Sequence, residues 1–119
     1  MTLKECYETL GGDYTGVVAR LRNEALVMRF ALRFLDDGSF HLLQESLANG
    51  DHETAFRAAH TIKGVCQNLG FTRLYESSSA LTEALRGRWT DAAADLVAPV
   101  ERDYRITVDA LEALRAAQG

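Results

Sequence analysis

The sequence predicts an all-α chain, an antiparallel up-down four-helix bundle with one or two additional short helices at its N-terminal end. Three observations carry this. Apolar residues recur in steps of three and four along most of the chain, and no segment keeps the alternation of a half-buried strand. The breaks between these stretches are short and rich in Gly, Asp, Ser and Thr, residues that stop and start helices, so successive long helices should run antiparallel. A single proline occurs in 119 residues, which leaves room for long helices.

The elements follow in order. Thr2 and Glu5 form a capping box, so a first helix runs to about Leu10. Gly11-Gly12-Asp13 ends it and starts a second short helix marked by Val17, Val18 and Leu21. Residues 24–35 are apolar almost all round, broken only by Arg29 and Arg33, and are expected at the centre of the bundle. Asp36-Asp37-Gly38-Ser39 is a turn, and residues 40–49 are amphipathic, with Leu43 and Leu47 one turn apart. Gly50 ends that helix, and Asp51 is a good N-cap for the next, which runs to Gly70. Thr72 is expected to cap a further helix whose Leu74, Ser78, Leu81 and Leu85 face inward. Gly87-Arg88-Trp89 reads as a loop, with Trp89 packing there. Thr90 begins the last helix, where Val97, Val100, Tyr104, Thr107, Leu111 and Leu114 form a seam. Pro99 lies inside that pattern and is expected to kink the helix near residues 95–98 without ending it.

Composition narrows the possible functions. Hydrophobic residues make up 47% of the chain, a globular composition, and the length suits one core, so residues 1–119 read as one domain, expected to be free-standing. The net charge of −4 comes without a basic stripe, so no nucleic-acid partner is expected. No apolar run approaches a membrane span, and the first residues carry an acid instead of a hydrophobic signal core, so a cytoplasmic protein is expected. Cys6 and Cys66 lack metal-ligand spacing. Cys66 falls on an apolar stripe and reads as a small hydrophobe, Cys6 has no assigned place, and a disulfide between them is not expected in a reducing compartment.

The chemistry concentrates in residues 55–70. Ala55, Ala59, Ile62, Cys66 and Leu69 mark a buried stripe that Ala58 and Val65 widen. His60, Lys63, Gly64 and Gln67 share the opposite, wet face, with Phe56 and Arg57 one turn before. Glycine inside a helix costs about 1 kcal/mol relative to alanine. The local gain at Gly64 is room beside the imidazole for a bulky group or a partner. A neutral imidazole is a nucleophile, and with an intrinsic pKa of about 6.5 it needs no strong base near neutral pH. Lys63 can offset the charge of a phosphoryl group by roughly 1 kcal/mol in a wet site. Gln67 can orient the ring or donate to a phosphate oxygen. A helical histidine is more often a surface residue without a task, and that reading is kept for His41 and His52. Phe56 suits the rim of the core and a docking contact about equally. No His, Cys, Asp or Glu stands three or four residues from His60, so this helix offers one metal ligand at most, and neither metal nor cofactor is expected.

His60-Thr61-Ile62-Lys63-Gly64 followed by Gln67-Asn68-Leu69-Gly70 resembles the signature of the histidine-phosphotransfer (HPt) domain. That pattern is a histidine, a lysine three on, a glycine four on, then an asparagine and a glycine at the helix end. The resemblance extends over nearly the whole chain and implies the family's antiparallel four-helix bundle. It implies that His60 is phosphorylated and that Lys63 is its phosphate partner. It supports Gly64, bears less directly on Gln67, and makes Asn68 and Gly70 helix-end features. The implied partners are response-regulator receiver domains, which bring an aspartate and Mg²⁺, and a sensor histidine kinase, including the hybrid type. The protein is expected to be a monomeric phosphocarrier and not an enzyme. No Gly-rich nucleotide loop is present, and Thr61 stands where sensor kinases of the usual pattern carry an acidic residue after the histidine. The rival reading is a helical adaptor that binds receivers without being phosphorylated, and the presence of both His60 and Lys63 argues against it.

Overall fold

Side-chain caps set most of the helix starts in this chain, and left-handed glycines close two helix ends. The computed structural model describes residues 1–118, all of them helix, turn or loop with no strand. Its helices are α1 (Leu3–Leu10), α2 (Tyr14–Leu21), α3 (Glu24–Arg33), a 3₁₀ turn (Phe34–Asp36), α4 (Ser39–Ala48), α5 (His52–Leu69), α6 (Thr72–Leu85), α7 (Asp91–Asp95) and α8 (Val97–Gln118). The Thr2 hydroxyl accepts from the Glu5 N–H, and the Glu5 carboxylate accepts from the Thr2 N–H at 2.8 Å. These bonds from Thr2 hold the Glu5 carboxyl below its ordinary range. The side chains of Asp13, Asn23, Asp51 and Thr90 each accept from the backbone N–H three residues on and so cap α2, α3, α5 and α7.

The core is continuous, and α5 lies inside the packing, most extensively against α6 and α4. α8 packs on α1 and α6. The inward residues expected on α6 are buried, and so are those on α5 except Val65, which is half-buried at the edge of the stripe. On α8, Val100, Thr107, Leu111 and Leu114 are buried while Val97 and Tyr104 are half-buried. Buried hydroxyls bond one turn back along their own helices, Ser78 to the Leu74 carbonyl at 2.6 Å, Thr82 to Ser78 at 2.7 Å and Thr107 to Asp103 at 2.8 Å. That is why polar residues are tolerated on these seams.

An aromatic chain ties the ends together. Phe71, in the α5–α6 connection, lies 5.5 Å from the Tyr7 ring and 5.4 Å from the Phe34 ring. Phe34 contacts Tyr104, which stacks on Phe40 at 3.8 Å. The Tyr7 hydroxyl donates to the Leu69 carbonyl at 2.7 Å, fixing the end of α5 against α1. Cys6, which sequence left unplaced, is part of this core, and burial pushes its thiol up to about 11. Cys66 is buried and free as well, its thiol pushed up further by the same cause. No helix among the described residues is long and apolar enough to cross a membrane.

Four expectations are corrected. α3 stops at Arg33 and continues as the 3₁₀ turn, and it is not central: only Val27 and Ala31 are buried on it, while Leu26, Met28, Phe30 and Leu32 are half-buried. Hydrophobicity on all sides there serves contacts with several neighbours at an edge. α6 is capped from Phe71, without a side-chain bond, and Thr72 is its first residue. The last helix is broken, not kinked. α7 ends at Asp95 and α8 begins at Val97, so Pro99 falls in the first turn of α8, where its missing N–H has no partner to lose. His52 is not an idle surface residue, since its ring stacks on Trp89 with centroids 4.7 Å apart.

Candidate functional site

α5 is locked at both ends, and this holds its middle in place. Asp51 accepts from the Thr54 N–H at 3.1 Å and from the Thr54 hydroxyl at 2.6 Å, and these bonds hold its carboxyl below the usual range. Gly70 closes the other end with φ +71°, a conformation that favours glycine. Arg20 of α2 donates to the Asn68 carbonyl at 2.9 Å and to the Gln67 carbonyl at 3.4 Å, satisfying terminal carbonyls of the helix.

Between these anchors the two faces of α5 separate as expected. Ala55, Ala58, Ala59, Ile62, Cys66 and Leu69 are buried. His60 and Gln67 are exposed, and Lys63 and Gly64 are half-buried. A Cβ built on Gly64 would meet nothing within 4 Å, so the space beside the histidine is open and Gly64 is not a close-packing glycine. Gln67 lies on the same face, toward the end held by Arg20.

The structure adds a second wall that sequence reasoning missed. Glu83 and Arg86, at the end of α6, stand beside the α5 face. The Lys63 ammonium leans toward α6, with Nζ 3.9 Å from Glu83 Oε1 and the side chain 25% exposed. Arg86 donates from Nε and from Nη2 to the two Glu83 carboxylate oxygens, both at 3.1 Å. Hydrogen bonds from Arg86 and then its charge hold the Glu83 carboxyl below its ordinary range, with smaller contributions from Lys63 and His60. The Arg86 guanidinium lies 5.2 Å from the centre of the Phe56 ring, and that ring lies 6.1 Å from the His60 ring. Phe56 is thus a half-buried rim residue between a cation and the histidine. Phe56, Arg57, His60, Thr61 and Arg86 line an open depression of about 380 Å³.

Antiparallel pairing about the Gly70–Phe71 turn is the signal that could have found Glu83 and Arg86, because residues equally far from a turn lie at similar heights. Arg57 pairs with Glu53 at 3.1 Å. The surroundings of His60 therefore hold Arg57, Lys63 and Arg86 against Glu53 and Glu83, a local excess of positive charge on a chain of net charge −4. Such a setting favours an anionic group. His41 is exposed and faces Glu45 at 3.3 Å on its own helix, consistent with a surface residue. No group of three His, Cys, Asp or Glu side chains suited to a metal ion occurs among the described residues.

Comparison with known families agrees with this geometry. A family model described as the Hpt domain matches residues 35–117, from the 3₁₀ turn into α8. α1 to α3 lie outside the match, which is therefore narrower than the nearly whole-chain resemblance expected from the sequence. No curated protein and no solved structure gives a significant match to the chain.

Proposed function

Because the chain belongs to the Hpt domain family, which serves histidine phosphotransfer in two-component signalling, we propose that it carries a phosphoryl group on His60 and exchanges it with the aspartate of response-regulator receiver domains. The observation that carries this reading is the exposed His60 at the middle of a helix whose opposite face is buried, with open space at Gly64 beside it.

In this reading the lone pair of the unprotonated ring nitrogen attacks phosphorus in line. The N–P bond forms as the P–O bond to the receiver aspartate breaks, and the bonding pair leaves with the aspartate carboxylate. The proton on the other ring nitrogen stays in place, and return transfer is the reverse of these events. Mg²⁺ belongs to the receiver and offsets charge at the donor. This chain contributes a fixed nucleophile, Lys63 as a cation beside the phosphoryl group, and clearance at Gly64. Gln67, on the same face, is assigned the weaker part of orienting a phosphate oxygen or the ring. α4, α5, α6 and α8 act as an antiparallel four-helix platform, a reading supported by the packing of α5 on α4 and α6 and of α8 on α6. The protein is a monomeric, cytoplasmic, single-domain carrier between a sensor histidine kinase and a receiver, without ATP binding or autokinase activity.

The test is incubation with a phosphorylated receiver domain and Mg²⁺, scored by intact mass before and after brief acid. Gain of one acid-labile phosphoryl group is expected. Binding of receivers without any uptake would overturn the carrier reading in favour of the adaptor.

Two variants resolve the site further. Lys63→Ala should slow uptake by about fivefold, the equivalent of about 1 kcal/mol for a charge pair in a wet site, and spare folding. An unchanged rate would remove Lys63 from the mechanism. Gly64→Ala should stabilise the fold by about 1 kcal/mol, because the helix gains a better former and the new Cβ meets nothing. It should leave uptake from phosphoramidate unchanged and slow uptake from a receiver domain. Wild-type rates with each donor would show that Gly64 does not serve docking.

A further inference from the structure

The Glu83–Arg86 pair has the form of a phosphate site already filled by a carboxylate. The guanidinium is planar and presents its N–H groups as a fork suited to two oxygens of one anion. Here the fork is closed on Glu83, from Nε and Nη2. The same carboxylate is the partner of Lys63. Phe56 seats the guanidinium at the edge of the depression that His60 lines. One acidic side chain thus pairs with two of the cations around the histidine, at the edge of the depression that His60 and Arg86 both line.

Resting on the reading of His60 as the phosphoryl acceptor, we propose that Arg86 is a second phosphoryl-binding residue and that Glu83 is its resting counter-ion, displaced when His60 is phosphorylated. A phosphoryl dianion carries more charge than a carboxylate and has three oxygens to accept from both cations. It can draw the Arg86 fork and the Lys63 ammonium from Glu83 while Phe56 keeps the guanidinium at the site. Glu83 opposes this twice, by holding the cations and by repelling the incoming anion. It is a positioning residue that lowers the affinity of the site for the phosphoryl group and so favours passing it on. The depressed Glu83 carboxyl agrees with a group that stays ionised at neutral pH and remains a counter-ion there.

The experiment uses phosphoramidate as a small donor, with the full chain and its Arg86→Gln, Glu83→Gln and doubly substituted forms. Initial rates are read as acid-labile mass, and the second ionisation of the bound phosphoryl group is followed by its ³¹P shift against pH. Arg86→Gln should label about fivefold more slowly, the upper end for an exposed charge pair. Its phosphoryl ionisation should move to higher pH, because a cation that favours the dianion is gone. Glu83→Gln should label about threefold faster, with the ionisation moved to lower pH, and the gain should shrink when Arg86 is also replaced. Wild-type rates and unmoved ionisation in both single variants would leave an ordinary surface ion pair and overturn the proposal, with the assignment of His60 intact. Absence of any label that His60→Gln removes would overturn that assignment and the proposal with it.

Discussion

Replacing His60 by glutamine is expected to abolish acid-labile phosphate uptake from a phosphorylated receiver domain while leaving helix content and the thermal midpoint at wild-type values. The two halves of this expectation have separate causes. The glutamine amide nitrogen has its lone pair delocalised into the carbonyl and cannot form the N–P bond, so the covalent intermediate is lost altogether, not merely slowed. Folding is spared because the side chain is exposed, glutamine is a good helix former, and surface exchanges away from caps and networks usually stay within about 0.5 kcal/mol. The comparison with Lys63→Ala is informative. A charge beside the phosphoryl group modulates the rate, whereas the nucleophile is required for the bond. Intact mass at neutral pH and after acid, together with a circular-dichroism melt, checks both halves. Uptake that persists in the variant would move the site, with His41 and His52 as the remaining imidazoles. Of these, His52 is stacked on Trp89, whereas His41 is exposed.

What the sequence disclosed here was mostly local. The histidine face of α5, its Asp51 and Gly70 caps, the α1 capping box and the inward residues of α6 depend on neighbours three or four residues away, and each stands as expected. What it concealed depends on distant partners. The peripheral place of α3 depends on which surfaces α2, α5 and α8 leave open. The His52–Trp89 stack and the Glu83–Arg86 wall beside His60 join side chains from different elements. Pro99 departs from its expected place for a related reason. The apolar register runs across it, but the chain restarts a helix at Val97, and a proline in a first turn leaves the register intact.

The platform can be separated from the chemistry at Phe71. Phe71→Ala is expected to destabilise the fold by about 3–5 kcal/mol, the range for emptying a buried aromatic site. Phe71 is fully buried, its ring contacts Tyr7 and Phe34, and its N–H donates to the Cys66 carbonyl at 2.9 Å. The vacated space would lie where α1, the 3₁₀ turn and the α5–α6 connection meet, and the Tyr7 hydroxyl bonded to Leu69 gives those parts little freedom to close it. Against a typical total of about 5–15 kcal/mol the loss is a large fraction, and for a chain of this size the midpoint should fall by about 10 °C or more. His60 lies well back along α5 from this site, with its exposed face and its α6 neighbours untouched. Well below the lowered midpoint the variant should therefore take up phosphate at close to the wild-type rate per folded molecule. A melt like that of wild type would show that the aromatic cluster does not anchor the core. A slowed rate in fully folded variant would show that the end of α5 positions His60 and that scaffold and site are coupled.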